Sequence, residues 1–254
     1  MAIIEARDVV KVYETGKVRL KALQSVSISV ERGEMVGVMG PSGCGKTTLL
    51  NCLSGLDEID SGTIVIEGKD ISKMSDNQKT TQRADRMGFI FQAYNLLPVL
   101  SAVENVELPL LVSGKKMAEA RKRALKALEL VDLVKWADHK PAELSGGQQQ
   151  RVTIARSIVN EPAIVWADEP TGNLDTKNSM QIMDLLCQLN NDLKQTYIVV
   201  THDPKVGARC DRILNMESGL VVKDVKNGHG NPCKNGGAKA AKEADKEEND
   251  QRTV

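Results

Sequence analysis

Apolar residues alternate with polar ones near the start of the chain and run together in short blocks further on. The alternation over residues 9–13 and 26–30 is typical of half-buried strands. Residues 34–39, 163–168 and 197–201 are almost continuously apolar, as strands buried on both faces should be. We therefore predict a β-rich start, followed by buried strands distributed along the rest of the chain.

Apolar residues at helical spacing predict four helical segments, at residues 47–53, 101–139, 149–159 and 176–193. An exposed loop is expected at residues 114–116. The buried face after that loop is predicted to consist of Met117, Ala120, Ala124, Leu125, Leu128 and Val131. The inward residues of the last segment are predicted to be Met180, Met183, Leu186, Cys187 and Leu193.

Shorter patterns complete this picture of the chain. Residues 62–67 and 88–92 read as short strands around a polar stretch, and residues 213–222 read as a closing hairpin with Gly219 at its turn. From about Lys226, apolar residues nearly vanish. Such a segment buries too little surface to offset its ordering entropy, so we predict a disordered polar tail at residues 225–254.

The overall composition disfavours several classes of protein. The 34 Lys and Arg residues balance the 34 Asp and Glu residues, whereas dedicated nucleic-acid binders usually carry a basic excess. Residues 1–8 carry charges where a signal peptide needs an apolar run, and no stretch approaches the roughly 18–20 apolar residues of a membrane span. We expect no nucleic-acid partner, and a protein that is soluble or bound to a membrane only through a partner.

A glycine-rich loop lies between the predicted strand at residues 34–39 and the predicted helix at residues 47–53. In such a loop, backbone N–H groups at the helix start cradle the β- and γ-phosphates of a nucleotide. Lys46 adds a positive charge, and the Thr47 hydroxyl can ligate Mg²⁺. A glycine turn that binds nothing is the alternative, which the flanking strand and helix disfavour. The predicted phosphate-binding residues are Gly40, Pro41, Ser42, Gly43, Cys44, Gly45, Lys46, Thr47 and Thr48.

Two acids, Asp168 and Glu169, end one of the buried strands. In a fold with a phosphate-binding loop, the first acid holds Mg²⁺ through its coordination shell. Glu169 would then orient or deprotonate the water that attacks the γ-phosphate. The alternative is a pair of acids that simply opens a surface loop.

A second glycine motif, Leu144-Ser145-Gly146-Gly147-Gln148, also has the features of an anion site. Ser145 can cap a helix start, and the two glycines expose backbone N–H groups. One nucleotide seldom needs two phosphate cradles from one chain. The simplest resolution is a head-to-tail homodimer in which Ser145, Gly146, Gly147 and Gln148 of each chain bind the nucleotide of the other.

Over residues 1 to about 224, these motifs resemble the nucleotide-binding subunit of an ATP-binding cassette (ABC) transporter. The other motifs of that family follow in order: Gln92 in the Q-loop, Asn173-Leu174-Asp175 in the D-loop, and the switch histidine His202. The resemblance implies an α/β fold of the P-loop NTPase class. Its parts would be a RecA-like parallel-sheet core, an antiparallel β subdomain and an α-helical subdomain at roughly residues 93–160.

The same resemblance implies ATP and Mg²⁺ as cofactors and ATP hydrolysis as the activity. Gln92 would sense Mg²⁺ and the attacking water, His202 would contact the γ-phosphate, and Asp175 would lie at the dimer seam. Tyr13 matches the aromatic residue that stacks on adenine. Alternatives remain for two of these residues: Tyr13 as a strand residue packed on a neighbour, and His202 as a structural histidine.

Residues 91–98, 104–110 and 144–151 resemble the lipoprotein-releasing and macrolide-exporter branch of the family. That branch implies an integral membrane permease as partner and a cytoplasmic position on the inner face of the membrane. A cell-division cassette and a soluble ABC ATPase without a transport role are the alternatives. Leu96, Leu97, Val99 and Leu100 suit either a docking groove for the permease or ordinary core. Cys44 suits either a reactive thiol or an inert buried one.

Overall fold

The computed structural model describes residues 2–16 and 18–227, whose strands form two sheets. The strands are β1 (Ala2–Thr15), β2 (Val18–Glu31), β3 (Met35–Met39), β4 (Ser61–Ile66), β5 (Lys69–Asp70), β6 (Met87–Phe91), β7 (Ile164–Asp168), β8 (Thr196–Thr201), β9 (Arg212–Glu217) and β10 (Leu220–Lys226). The α-helices are α1 (Lys46–Leu53), α2 (Asp76–Arg86), α3 (Ala102–Val112), α4 (Met117–Leu130), α5 (Gly146–Ile158), α6 (Thr176–Leu193) and α7 (Pro204–Gly207). Short 3-10 turns lie at Ile71–Lys73, Val134–Trp136 and Pro141–Glu143.

The first sheet is antiparallel, with strand order β2-β1-β4-β5. Its strands β1 and β2 bury alternate apolar side chains, among them Ile4, Val9, Val26 and Val30. This alternation confirms the strands predicted at residues 9–13 and 26–30, although each strand is 14 residues long. The β-rich start is therefore a separate layer that packs its inner face against the rest of the fold.

The second sheet has the order β10-β9-β3-β8-β7-β6, and its central strands are parallel. In the register of β6, β7 and β8, Phe91 lies opposite Asp168, which lies opposite Val200. In β3, Met39 lies opposite Thr201. The carboxyl ends of four neighbouring strands therefore meet at one edge of the sheet, as in other open parallel sheets that bind ligands there.

Helices α3, α4 and α5 lie between β6 and β7 in sequence and pack on one another around a shared apolar core. Ala120, Ala124, Leu128 and Val131 are buried as predicted. The prediction was wrong for Met117 and Leu125, which are exposed. Met117 is the first residue of α4 and precedes the part of the helix that packs on its neighbours. Leu125 lies at the edge of the buried face of the helix.

The last residue of α6, Leu193, is also exposed, contrary to the prediction, because the helix ends there and the chain turns away. Met183, Leu186 and Cys187 are buried, and Met180 packs against the core while only partly buried. The inward face of α6 therefore follows the helical spacing everywhere except at its carboxyl end.

Helix α2 occupies a segment for which the sequence pattern predicts only a polar stretch between strands. Its sequence is almost wholly polar and buries Gln82, so it shows no apolar periodicity. A capping box fixes its start, in which the Ser75 hydroxyl and the Gln78 side chain each accept from the other's backbone N–H. The pair Ser75 and Gln78, at capping-box spacing, was the sequence signal that could have predicted the start of α2.

Strand β10 continues through Lys226, two residues past the expected boundary at 224. Asn227 follows it, and its side-chain amide donates to the carbonyl of Cys210 at 2.8 Å. The rest of the expected tail, residues 228–254, lies outside the described residues. Among the helices that are described, none has the length and apolar character needed to cross a bilayer.

Candidate functional site

The glycine-rich loop joins β3 to α1, and two of its glycines are required by their surroundings. Gly40 and Gly45 have φ values of 152° and 104°. A Cβ on Gly40 would lie 2.2 Å from the carbonyl oxygen of Met216, and one on Gly45 would lie 2.6 Å from that of Ala22. The loop therefore packs against β9 and against β2 at distances that exclude any side chain.

Lys46, the first residue of α1, is buried with its ammonium group inside this loop. Its Nζ donates to the carbonyl oxygens of Gly40 and Pro41, at 2.8 and 2.9 Å. Gly45 offers no side-chain cap, so the first N–H groups of α1 stay available to an anion. The loop combines a fixed positive charge with free backbone donors.

Thr47 and Asp168 bring the loop and the end of β7 into contact. The Thr47 hydroxyl donates to Oδ1 of Asp168 at 3.1 Å. Burial raises the pKa of Asp168, while the hydrogen bond from Thr47 opposes that shift. Mg²⁺ is usually held by one or two carboxylates together with substrate phosphates. The paired hydroxyl and carboxylate beside a phosphate cradle fit such an ion.

In the part of the chain that the structure describes, no group of three or more His, Cys, Asp or Glu residues could enclose a metal.

Glu169 and His202 follow the neighbouring strands β7 and β8 and contact each other. Nδ1 of His202 lies 2.8 Å from Oε1 of Glu169. The Glu169 backbone has a φ of 47°, and its N–H donates to the carbonyl of Val200. Its side chain is 17% exposed, against 69% for His202. The carboxylate is thus sheltered and is approached by the imidazole from the solvent side.

Gln92 follows β6 and is held by a residue that the sequence motifs did not single out as a site residue. Nδ2 of Asn173 donates to the Gln92 carbonyl at 2.8 Å, and Nε2 of Gln92 donates to Oδ1 of Asn173 at 3.3 Å. Gly172 leaves room for the Gln92 side chain, since a Cβ there would lie 2.7 Å from Nε2. The segment at residues 172–173 therefore fixes both the backbone and the side chain of Gln92.

Tyr13 lies on β1, and two residues hold its ring. The Tyr13 hydroxyl donates to Oδ2 of Asp57 at 2.6 Å, and Lys11 Nζ donates to Oδ1 of the same carboxylate at 2.7 Å. Nζ of Lys11 also lies 5.0 Å from the centroid of the Tyr13 ring. Asp57 follows α1, so the aromatic ring is tied to the end of the helix that the phosphate loop begins. No sequence signal pointed to Asp57.

These residues surround one cavity of about 820 Å³. Its lining includes Tyr13, Ser42, Gly43, Gly45, Lys46, Thr47, Thr48, Gln92, Glu169 and His202. Gly40, Pro41, Cys44 and Asp168 are not among the described lining residues. The thiol of Cys44 is buried in the apolar core beneath the loop, which favours the inert alternative for that residue.

The second glycine motif lies elsewhere: within the described residues, none of Ser145, Gly146, Gly147 and Gln148 lines the cavity. Ser145 caps α5, with its hydroxyl accepting from the Gln148 N–H at 3.3 Å and its own N–H donating to Oε1 of Gln148 at 2.8 Å. Asp175 likewise caps α6 by accepting from the Asn178 N–H. Both motifs form helix starts.

The two helix starts adjoin each other. A Cβ on Gly147 would lie 3.4 Å from Oδ1 of Asn178, and Nδ2 of Asn178 donates to the Asp175 carboxylate at 2.6 Å. Hydrogen bonds from the Asn178 backbone and side chain lower the pKa of Asp175. The molecule therefore carries its second cradle and Asp175 on one continuous surface, separate from the cavity.

The fold and the site define an ATP-binding cassette ATPase. Residues 23–172 match the family model described as ABC transporter, and the chain belongs to that family. The parallel core, antiparallel sheet and helical region that the family resemblance implied are those of the family's cassette fold, so that expectation is confirmed.

The chain is similar to the lipoprotein-releasing system ATP-binding protein LolD of Saccharophagus degradans (43% identity) and of Porphyromonas gingivalis (45%). The alignments cover 87% of this chain in both cases, and 97% and 100% of those proteins. It is also 45% identical over 224 residues to the macrolide export ATP-binding/permease protein MacB of Chlorobaculum tepidum. That match covers 88% of this chain but spans only 34% of MacB.

Among solved structures, the chain is similar to two of the bacterial cassette MJ0796. One is a dimeric post-hydrolysis state bound to ADP and Pi, with 42% identity and a TM-score of 0.82. The other is a dimeric structure of the same cassette, with 43% identity and a TM-score of 0.82. Each covers 88% of this chain and 98% of the other chain.

Proposed function

We propose that this chain is the ATP-hydrolysing subunit of a membrane transporter of the lipoprotein-releasing or macrolide-export type, and that hydrolysis takes place between two copies arranged head to tail. The observation that carries the proposal is the separation of the two cradles. One cavity gathers the phosphate loop, Glu169 and His202, while Ser145–Gln148 start a helix outside it.

The residues in and beside the cavity have complementary roles. Tyr13 stacks on the adenine, and the loop at residues 40–48 holds the β- and γ-phosphates. Thr47, Asp168 and Gln92 would hold Mg²⁺, which would supply positive charge to neutralise the phosphates. Glu169 accepts a proton from the attacking water, and His202 orients that carboxylate and contacts the γ-phosphate.

The second cradle serves the ATP of the partner copy. Ser145 and the glycines after it present a helix start with free N–H groups, and Asp175 lies on the same surface. Two such surfaces facing two cavities make an isologous dimer with two nucleotides at the seam. Loss of the γ-phosphate after hydrolysis removes contacts from both copies, so the dimer opens.

A separate groove of about 440 Å³ begins beside the Q-loop. This groove supports the proposal that the chain binds a membrane partner. Phe89, Phe91, Leu108, Pro109 and Val112 are among its lining residues. We place a segment of the permease here, with the cassette on the inner face of the membrane. The residues suggested by the sequence do not line this groove: Leu96 packs against the core, Leu97 and Val99 are exposed, and Leu100 is half-buried.

Mixing two inactive variants tests the shared site. Lys46→Ala removes the cation of the first cradle, and Gly147→Asp places a negative charge at the second. An acid in the first turn favours the helix itself, so Gly147→Asp should fold while repelling phosphate. If the sites are shared, an equal mixture regains up to about one quarter of wild-type turnover, because half of the dimers contain one intact site of two.

Each variant alone serves as the control and should be nearly inactive. A mixture with no more activity than the separate variants would contradict the head-to-tail arrangement.

For the transport role, the cassette should fractionate with membranes in a lysate. Fractionation wholly with ribosomes or DNA would favour the soluble ABC ATPase alternative instead.

A further inference from the structure

The loop that carries Gln92 contains two consecutive residues in the left-handed region. Tyr94 and Asn95 have φ values of 60° and 51°. Asparagine tolerates this conformation, but a tyrosine adopts it only where its surroundings compensate. The turn is closed by hydrogen bonds from the Tyr94 N–H to the Phe91 carbonyl and from the Asn95 N–H to the Ala93 carbonyl. Because both bonds lie within the loop itself, the strain at Tyr94 calls for a stabilising contact from another part of the fold.

Arg156 of α5 supplies that stabilisation. Its two terminal nitrogens donate to the carbonyls of Asn95 and Tyr94, at 2.6 and 2.8 Å. Burial lowers the pKa of the guanidinium, and no acidic group of the described residues contributes to that shift. The planar fork of an arginine suits two adjacent acceptors, and charge-assisted bonds of this kind are stronger than neutral ones.

The same loop also contacts the start of α5. A Cβ on Gly146 would lie 3.0 Å from the hydroxyl oxygen of Tyr94, so the ring fills the space beside the first residue of the helix. The loop therefore contacts α5 near its start through a side chain, and near its end through two backbone carbonyls. These two points of contact fix the direction of the loop relative to the helix.

Arg156 is also a lining residue of the apolar groove, together with Phe91 and Asn95. A segment that occupies the groove would lie against the guanidinium and against the turn that it holds. The contacts thus run from the groove through Arg156 to the Tyr94 and Asn95 carbonyls, and along two residues of backbone to Gln92.

We propose that Arg156 is a positioning residue for Gln92: it fixes the left-handed turn at Tyr94 and Asn95 to α5, and so ties the site of hydrolysis to the groove. The inference rests on the proposed function, because the proposed function is what gives Gln92 a role in hydrolysis. It adds a residue that touches neither nucleotide nor metal and acts through the backbone of the loop.

The test compares Arg156→Met and Arg156→Lys with the matched control Arg123→Met in the full chain. Arg123 also donates to a backbone carbonyl, that of Val159, but it does not contact the loop. We expect Arg156→Met to lower kcat for ATP hydrolysis roughly tenfold or more while KM for ATP changes less than about twofold. Arg156→Lys should restore part of the loss, and Arg123→Met should match wild type.

Hydrogen exchange of the amides at residues 92–95 provides a readout that does not depend on turnover. Exchange there should accelerate in Arg156→Met and stay unchanged in Arg123→Met. If Arg156→Met does not fold, the Arg156→Lys variant takes its place, with a smaller loss of kcat and a smaller acceleration.

Either unchanged kcat or unchanged exchange in a folded Arg156→Met variant would overturn the inference. Equal acceleration of exchange across the whole of α5 would also do so, since it would mean a general packing role. If the wild-type chain itself hydrolysed no ATP, the proposed function would fail, whereas normal turnover in Arg156→Met would remove this inference alone.

Discussion

Nδ1 of His202 lies 2.8 Å from Oε1 of Glu169, across the ends of two adjacent parallel strands. A hydrogen bond from the His202 ring to this carboxylate oxygen requires the tautomer that carries a proton on Nδ1. The second carboxylate oxygen of Glu169 then remains available to a water molecule. The strand register places the acid and the histidine together, although they are 33 residues apart in the sequence.

The Glu169→Gln variant should bind ATP but hydrolyse it at least about a hundredfold more slowly, because the amide cannot accept a proton from water. The bound ATP should then hold two copies together. Size-exclusion chromatography with ATP and Mg²⁺ measures the dimer, and phosphate release measures turnover. Asp184→Asn, which alters an ion pair with Arg209, is the control. Wild-type turnover in Glu169→Gln would remove Glu169 from the role of base.

The ring of Tyr13 is predicted to bind adenine, and its hydroxyl is predicted only to orient the ring. Tyr13→Ala should weaken ATP binding about tenfold, in line with the loss of one stacking contact. Tyr13→Phe keeps the ring while losing the bond to Asp57, and should stay within about threefold of wild type. Isothermal titration calorimetry measures both affinities.

Inorganic triphosphate is the control ligand for the Tyr13 variants, since it lacks a base and should bind all three proteins alike. Unchanged ATP affinity in Tyr13→Ala would favour the alternative in which Tyr13 only packs within its strand.

The thiol of Cys44 is predicted to react slowly with alkylating reagents. Its side chain is 6% exposed and belongs to the apolar core, so the sulfur is shielded whether or not nucleotide is bound. Peptide mapping by mass spectrometry after iodoacetamide treatment should find little modification at Cys44, with and without ATP. Urea-unfolded protein is the control for reagent activity. Rapid modification that ATP prevents would instead show a reactive thiol in the loop.

Glu67 should stabilise the fold at neutral pH and lose that effect in acid. Two hydrogen bonds from Arg86 and one from Arg32 lower the pKa of Glu67 from 4.5 to about 2 against the effect of burial. A folded-state pKa below the unfolded one contributes stability above pH 4.5, and the contribution falls away as the pH drops towards 2.

The Glu67→Gln variant should therefore lower the free energy of unfolding by about 1–2 kcal/mol at pH 7, and by less at each step below pH 4.5. Urea denaturation at several pH values measures the difference from wild type. Glu5→Gln, which alters an exposed pair with Arg7, should have little effect at any pH. If the difference in the free energy of unfolding does not depend on pH, the loss of stability comes from packing and not from the charge of Glu67.

The sequence was sufficient where the signal is local. Strand β3, the glycine loop and α1 follow one another directly, and their order in the chain already indicates a phosphate site. Helix α2 escaped the pattern because it buries almost no apolar residue. The exposure of Met117 and Leu193 depends on where each helix ends relative to its neighbours, which apolar spacing alone does not encode.

Contacts between segments that are distant in the chain could not be predicted from the sequence. Gln92 and Asn173 are 81 residues apart, and Tyr13 and Asp57 are 44 apart. These pairs meet because of strand register and the packing of the two sheets, and nothing near either residue marks its partner. The sequence therefore supplied the candidate site residues, and Asn173 as part of a motif, but not the contacts by which Asn173, Asp57 and Arg156 hold the site and its loop.

Strands β6 and β7 are hydrogen-bonded neighbours, yet residues 92–163, including α3, α4 and α5, lie between them in sequence. Gln92 is the first residue of this insertion, while Asp168 belongs to the sheet itself. A hinge motion of the insertion would therefore displace Gln92 relative to Asp168 by breaking its two hydrogen bonds with Asn173, while every strand pair is kept. The edge that carries Gln92 and Asp168 would then open and close while the sheet stays folded.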